Sequence, residues 1–87
     1  MILSNEPGYY KKNHYGIRIE NLVYVKKNRQ KVQFENLTLA PIEKELINQK
    51  LLSSAEKTYL FKYHMNVYSK ISKYLNLKER RWLASFI

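Results

Sequence analysis

Gly16-Ile17-Arg18-Ile19-Glu20-Asn21-Leu22-Val23-Tyr24-Val25 is the stretch that sets the fold class. Ile17, Ile19, Val23 and Val25 share one face of an extended chain, and Arg18, Glu20, Leu22 and Tyr24 share the other. That two-residue period is the mark of a half-buried strand. On the N-terminal side, Ile2-Leu3-Ser4-Asn5 reads as a short strand broken by Pro7-Gly8. On the C-terminal side, Lys26-Lys27-Asn28-Arg29-Gln30-Lys31 reads as a polar turn, and residues 32–39 as a third strand ended by Ala40-Pro41.

Beyond Pro41 the period changes from two to that of a helix. Ser53-Ser54-Ala55-Glu56 has the form of a capping box, a helix start worth about 1 kcal/mol. Leu60, Tyr63, Val67, Ile71 and Tyr74 then recur at helical spacing through to about Leu75, with Tyr59 near the same face. Asn76-Leu77-Lys78-Glu79 predicts a second cap and a short helix through Trp82, Leu83 and Phe86. The expectation is an α+β chain: a small antiparallel sheet of about three strands over residues 1–41, then a helical extension over residues 42–87.

Composition removes several chemistries. The 87 residues hold 16 Lys+Arg against 7 acidic side chains, all of them Glu, with no Asp and no Cys. No disulfide framework, thiolate zinc site or cysteine nucleophile can be built. With two glycines, a Gly-rich phosphate loop has no place. No stretch approaches the ~20 apolar residues of a membrane helix, and the N-terminus lacks the features of a signal peptide. A cytoplasmic segment with no membrane partner is expected. The net charge of +9 invites a nucleic-acid reading, yet the basic residues run along the whole chain as on a solvated surface. Richness in Lys, Asn, Tyr and Ile, all with A/T-rich codons, explains the charge without an anionic partner.

Chemistry concentrates on two glutamates. If the segments flanking Asn13 pair antiparallel, residues whose numbers sum to 26 face each other, which sets Glu6 opposite Glu20 and Ser4 opposite Leu22. Cross-strand Cβ atoms lie about 5 Å apart, so two carboxylates there repel. A shared proton, the adjacent Arg18 or divalent metal would offset the repulsion. Oxygen ligands from two Glu suit hard divalent ions, but two side chains do not make a metal site. A surface Glu beside a Glu paired to Arg18 is the simpler arrangement. His14, in the hairpin loop, reads as an exposed loop residue, and His64 as a packed or hydrogen-bonded helix histidine.

The words around these residues are specific. Ser4-Asn5-Glu6-Pro7-Gly8-Tyr9-Tyr10 followed by Gly16-Ile17-Arg18-Ile19-Glu20-Asn21 closely resembles the C-terminal signature of aminopeptidase P, the Xaa-Pro aminopeptidases of the pita-bread metallopeptidase family. Residues 34–42, Phe34-Glu35-Asn36-Leu37-Thr38-Leu39-Ala40-Pro41-Ile42, resemble the strand that follows, and Tyr63-His64 and Trp82-Leu83 resemble the family's helical extension. The resemblance implies an enzyme that removes an N-terminal residue preceding proline. It implies two divalent metals, manganese or alternatively zinc, bound by two Asp, one His and two Glu, with hydrolysis by water activated between them. By motif match, the two Glu ligands are Glu6 and Glu20. Glu6 is also the general base, and Arg18 orients the carboxylates.

The departure from the family is the missing Asp pair and the family's His ligand. The expectation is therefore a C-terminal piece of a larger catalytic domain. Its partners would be the upstream half of that domain and, in the intact enzyme, a peptide with proline in second position. By itself the segment is expected to be metal-free and inactive. The competing readings are a stand-alone basic module that binds nucleic acid or an acidic protein, and an assembly module that forms a homo-oligomer.

Overall fold

The computed structural model describes all 87 residues, as two units, Met1–Thr38 and Leu39–Ile87. The division falls just ahead of the composition shift at Pro41, because Ala40 and Ile42 are hydrogen-bonded into the second unit.

The first unit contains β1 (Ile2–Asn5), β2 (Gly8–Lys11), β3 (Tyr15–Arg18), β4 (Asn21–Asn28) and β5 (Lys31–Asn36). β1, β4 and β5 form an antiparallel sheet with β4 in the centre, and β2 and β3 form a separate two-stranded ladder. The expected register holds on both sides: Ser4 faces Leu22 and Asn5 faces Asn21 in one ladder, Gly8 faces Arg18 and Tyr10 faces Gly16 in the other. The long strand expected over residues 16–25 is interrupted at Ile19–Glu20. The cause is opposite it in the register. Pro7 accepts from the Ile19 N–H at 3.1 Å but has no N–H to return, so the ladder lapses for one step. Beyond β5, the Leu37 N–H donates to the Leu22 carbonyl (2.8 Å) and the Leu22 N–H donates to Thr38 Oγ1 (2.8 Å), ending the third strand before Leu39.

The polar turn is tighter than its six-residue sequence suggests. Asn28 pairs with Lys31, so only Arg29 and Gln30 turn the chain. Arg29 takes a left-handed conformation, with φ at 57°. Asn13 does so in the first hairpin turn, at 63°, where its short polar side chain suits the role. An arginine does not share that tolerance. Arg29→Gly is expected to raise the first unit's stability by about 0.5–1 kcal/mol, the relief of the left-handed penalty less the entropy glycine adds to the unfolded chain. Chemical denaturation reads this as a higher midpoint, and a lowered midpoint would contradict it.

The second unit contains α1 (Ser54–Ile71) and α2 (Leu77–Ala84), preceded by two 3-10 turns at Lys44–Leu46 and Gln49–Leu51 that the helical pattern did not signal. Both expected capping boxes form. Ser53 Oγ accepts from the Glu56 N–H (3.1 Å) while Glu56 accepts from the Ser53 N–H (2.9 Å). Asn76 and Glu79 repeat the exchange at 2.9 Å each way. These main-chain bonds favour the charged Glu56 carboxylate and lower its pKa. A 3-10 turn, Ser72–Tyr74, closes α1, and its Ser72 carbonyl accepts both the Leu75 N–H (3.0 Å) and Arg80 Nε (2.7 Å). The core is Tyr63, Val67 and Leu83, with Leu39, Ile42, Tyr68, Ile71 and Leu75 packed around it. Tyr59 and Tyr74, expected near the apolar stripe, are exposed instead, as is Trp82, which packs edge-on against Phe86 at 5.1 Å.

Candidate functional site

Period and register together assemble one face of the first unit. Ser4, Glu6, Gly8 and Tyr10 alternate along one side of the hairpin, and Leu22, Glu20, Arg18 and Gly16 lie across from them. The hydrogen bonds from Val25 N–H to Met1 and from Ile19 N–H to Pro7 place the odd-numbered pairs in hydrogen-bonded positions. The Glu6–Glu20 interval is therefore a non-hydrogen-bonded position, where facing Cα atoms come to ~4.5 Å and side chains crowd.

Arg18 resolves the crowding. One guanidinium nitrogen lies 4.0 Å from Glu6 Oε1 and the other 4.0 Å from Glu20 Oε2, so the two carboxylates converge on a single cation. The pairs are long and partly exposed, and such contacts add little stability, about 0–1 kcal/mol. They set direction more than they bind. Ser4, which sequence reading did not assign to the site, donates its hydroxyl to Glu6 Oε2 at 3.0 Å. Its place two residues before Glu6 was the available signal, since period two puts both on one face.

Tyr10 completes this end of the face. A Cβ added to Gly8 would lie 2.7 Å from the Tyr10 hydroxyl oxygen, and one added to Gly16 would lie 2.6 Å from the Tyr10 ring. The chain's two glycines thus lie directly beneath that ring, whose hydroxyl end sits over Gly8, between Tyr10 and Glu6 on the strand. Tyr9 points to the opposite face and meets Tyr15 at 6.1 Å. Farther along the carboxylate face, the Tyr24 hydroxyl donates to Glu35 Oε2 (2.6 Å) and Lys26 Nζ donates to Glu35 Oε1 (3.1 Å). The Glu35 carboxylate raises the pKa of both partners, by holding the Tyr24 proton and by favouring the charged Lys26.

The donor set fits a hard divalent cation in part. Glu6 and Glu20 supply carboxylate oxygens already directed at one positive centre. Two side chains do not complete a coordination sphere, and no group of three or more His, Cys, Asp or Glu forms anywhere in the chain. The histidines do not help: His14 Nδ1 is taken by the Lys12 carbonyl at 2.9 Å in the exposed turn, and His64 is enclosed within the second unit.

A family model described as "C-terminal region of peptidase_M24" matches residues 30–85. The chain belongs to that peptidase family. This M24 C-terminal region is 41 % identical over 93 residues to "Probable Xaa-Pro aminopeptidase P" of Coprinopsis cinerea, an alignment covering 95 % of the chain and 15 % of the relative. It is 41 % identical over 92 residues to "Aminopeptidase P2" of Arabidopsis thaliana, covering 95 % of the chain and 13 % of that protein. Among solved structures it is similar to X-prolyl aminopeptidase from Caenorhabditis elegans, described as a cytosolic enzyme with a di-nuclear active site. The TM-score is 0.84 at 33 % identity, over 98 % of the chain and 15 % of that enzyme. The chain thus spans about 15 % of the length of these relatives. The aminopeptidase P resemblance read from the two sequence words is borne out, and so is the α+β fold expected from the strand and helix patterns.

Proposed function

We propose that these 87 residues form the C-terminal part of a dinuclear-metal Xaa-Pro aminopeptidase, and that Glu6 and Glu20 are two of its metal ligands. The observation that carries this is the convergence of both carboxylates on one cationic point, on motifs typical of aminopeptidase P. When bound, two divalent ions, manganese or zinc, supply Lewis-acid polarisation of the scissile carbonyl and a water acidic enough to be deprotonated near neutral pH. The chain's own residues do the rest. Ser4 fixes Glu6 Oε2 by donation and leaves Oε1 directed at the cation side; with the metals bound, Glu6 would also accept the proton of the attacking water. Arg18 turns both carboxylates toward one point.

The remaining ligands and the substrate groove come from the upstream half of the catalytic domain. The opposite, apolar face of the sheet supports that reading. Leu3, Val32 and Phe34 are exposed there beside a groove of about 310 Å³, which a further layer of protein, from the upstream half or a second copy, would cover. No helix is long and apolar enough to cross a membrane. The cytosolic description of the Caenorhabditis elegans enzyme favours a cytoplasmic parent.

The test is a graft. The chain alone, given manganese, is expected to leave an Xaa-Pro peptide intact. In place of the matching segment of the Caenorhabditis elegans enzyme, it is expected to support hydrolysis. Turnover by the isolated chain, or a graft that folds and loads metal without turning over, overturns the reading.

A further inference from the structure

Two neighbours on α1, Tyr63 and His64, hold the stretch that opens the second unit. The Tyr63 hydroxyl donates to the Ala40 carbonyl at 2.7 Å. His64 Nε2 accepts the Ile42 N–H at 3.1 Å, and the Leu60 backbone, one turn back on the helix, favours the protonated ring. An accepting Nε2 requires the neutral imidazole with its proton on Nδ1. His64 is only 6 % exposed, and its ring lies 5.5 Å from Tyr63 and 6.4 Å from Phe86.

Apart from the Leu60 backbone, the surroundings offer an imidazolium no partner. His64 borders a cavity of about 170 Å³ that Lys44, from the first 3-10 turn, and Lys57, from α1, also line. From beyond α2 come Phe86 and Ile87, both apolar. No acidic side chain lines the cavity.

We infer that His64 is a proton-operated latch on the Leu39–Ile42 stretch: protonation turns Nε2 from acceptor into donor, it then opposes the Ile42 N–H, and the stretch is released while α1 stays folded. A second proton on the ring leaves two N–H groups facing each other, and the half-buried Ile42 amide must find water instead. Burial keeps His64 below the ordinary histidine value, and the Leu60 hydrogen bond works against this as the smaller effect. The sign follows. The unfolded chain binds the proton more readily than the folded one, so the contact's contribution is whole above about pH 6.5 and is lost as pH falls through the folded value.

Residue-resolved amide exchange on the 87-residue chain tests this, with protection factors corrected for the intrinsic pH effect. From about pH 7.5 to about pH 5, Ile42 protection is expected to fall at least about tenfold, in step with the His64 ring titration, while the Val67 amide keeps its protection. In His64→Gln, whose side-chain oxygen can accept the same N–H without titrating, Ile42 protection is expected to be flat with pH. Should that variant fail to fold, the wild-type ring nitrogen shifts carry the test by reporting the Nδ1–H tautomer at high pH and its titration. Constant Ile42 protection through that titration, or Ile42 and Val67 losing protection together, overturns the latch.

Discussion

Glu20→Gln in the grafted enzyme is expected to lower kcat/KM for Xaa-Pro hydrolysis at least about a thousandfold, a loss of ~4 kcal/mol in transition-state stabilisation, and to reduce bound metal. Glu6→Gln is expected to do at least as much, because the proposed role of Glu6 includes accepting the proton of the attacking water. The substitution keeps the length and planarity of the side chain and removes the charge, so packing is not altered. In the isolated chain the same changes should move the unfolding midpoint little, since each carboxylate is partly exposed and its pair with Arg18 is long. A large functional loss with a small stability loss is what a ligand predicts. Glu35→Gln is the control. It stands on the same face but is engaged by Tyr24 and Lys26, and activity should stay within about threefold of the parent graft. Retention of activity within tenfold by both Glu6→Gln and Glu20→Gln would remove these residues from the site.

Leu83→Ala is expected to cost the second unit about 2–4 kcal/mol, from lost burial plus the cavity left behind. Leu83 is 4 % exposed, Tyr63 4 % and Val67 1 %, and these three are the buried apolar core of Leu39–Ile87. So small a core holds only a few kcal/mol in reserve, so the loss should abolish a cooperative thermal transition and release α2. Circular dichroism on heating reads both effects. Trp82→Ala makes the contrast. Tryptophan is the larger hydrophobe, but Trp82 is 60 % exposed and touches Phe86 edge-on, so its loss should cost about 1 kcal/mol or less. A larger penalty for Trp82→Ala than for Leu83→Ala would mean that α2 docks by its other face.

Much of the first unit was legible because strand chemistry is local. Period two placed Glu6 and Glu20 on one face, and a single hairpin register, carried from Asn13 outward, brought them opposite each other. The break at Pro7 and Ile19 was half legible: proline marked it on one strand, while its echo on the partner strand followed only once the ladder existed. The two-residue turn at Arg29 was hidden, because nothing in a lysine-rich run announces a left-handed arginine. The capping boxes were fully legible, since each is a hydrogen-bond exchange across three residues.

The helical stripe misplaced Tyr59 and Tyr74 for a different reason. Periodicity says which residues share a face and says nothing about how wide a strip the neighbouring element covers. Here Leu83 from α2 covers Tyr63 and Val67, and leaves Tyr59 and Tyr74 in water. The role of His64 was out of reach in the same way. Its acceptor function depends on an amide 22 positions away, which only the folded path of residues 39–42 brings to the ring.

By itself, then, the sequence determined the strands, the caps, the shared face of the two glutamates and the family, because these rest on local hydrogen bonding, alternation and contiguous words. The tertiary structure decided that Arg18 answers both carboxylates at once, that Tyr10 rests on the two glycines and that His64 holds Ile42. Those contacts depend on where distant segments come together, and local rules do not carry that information.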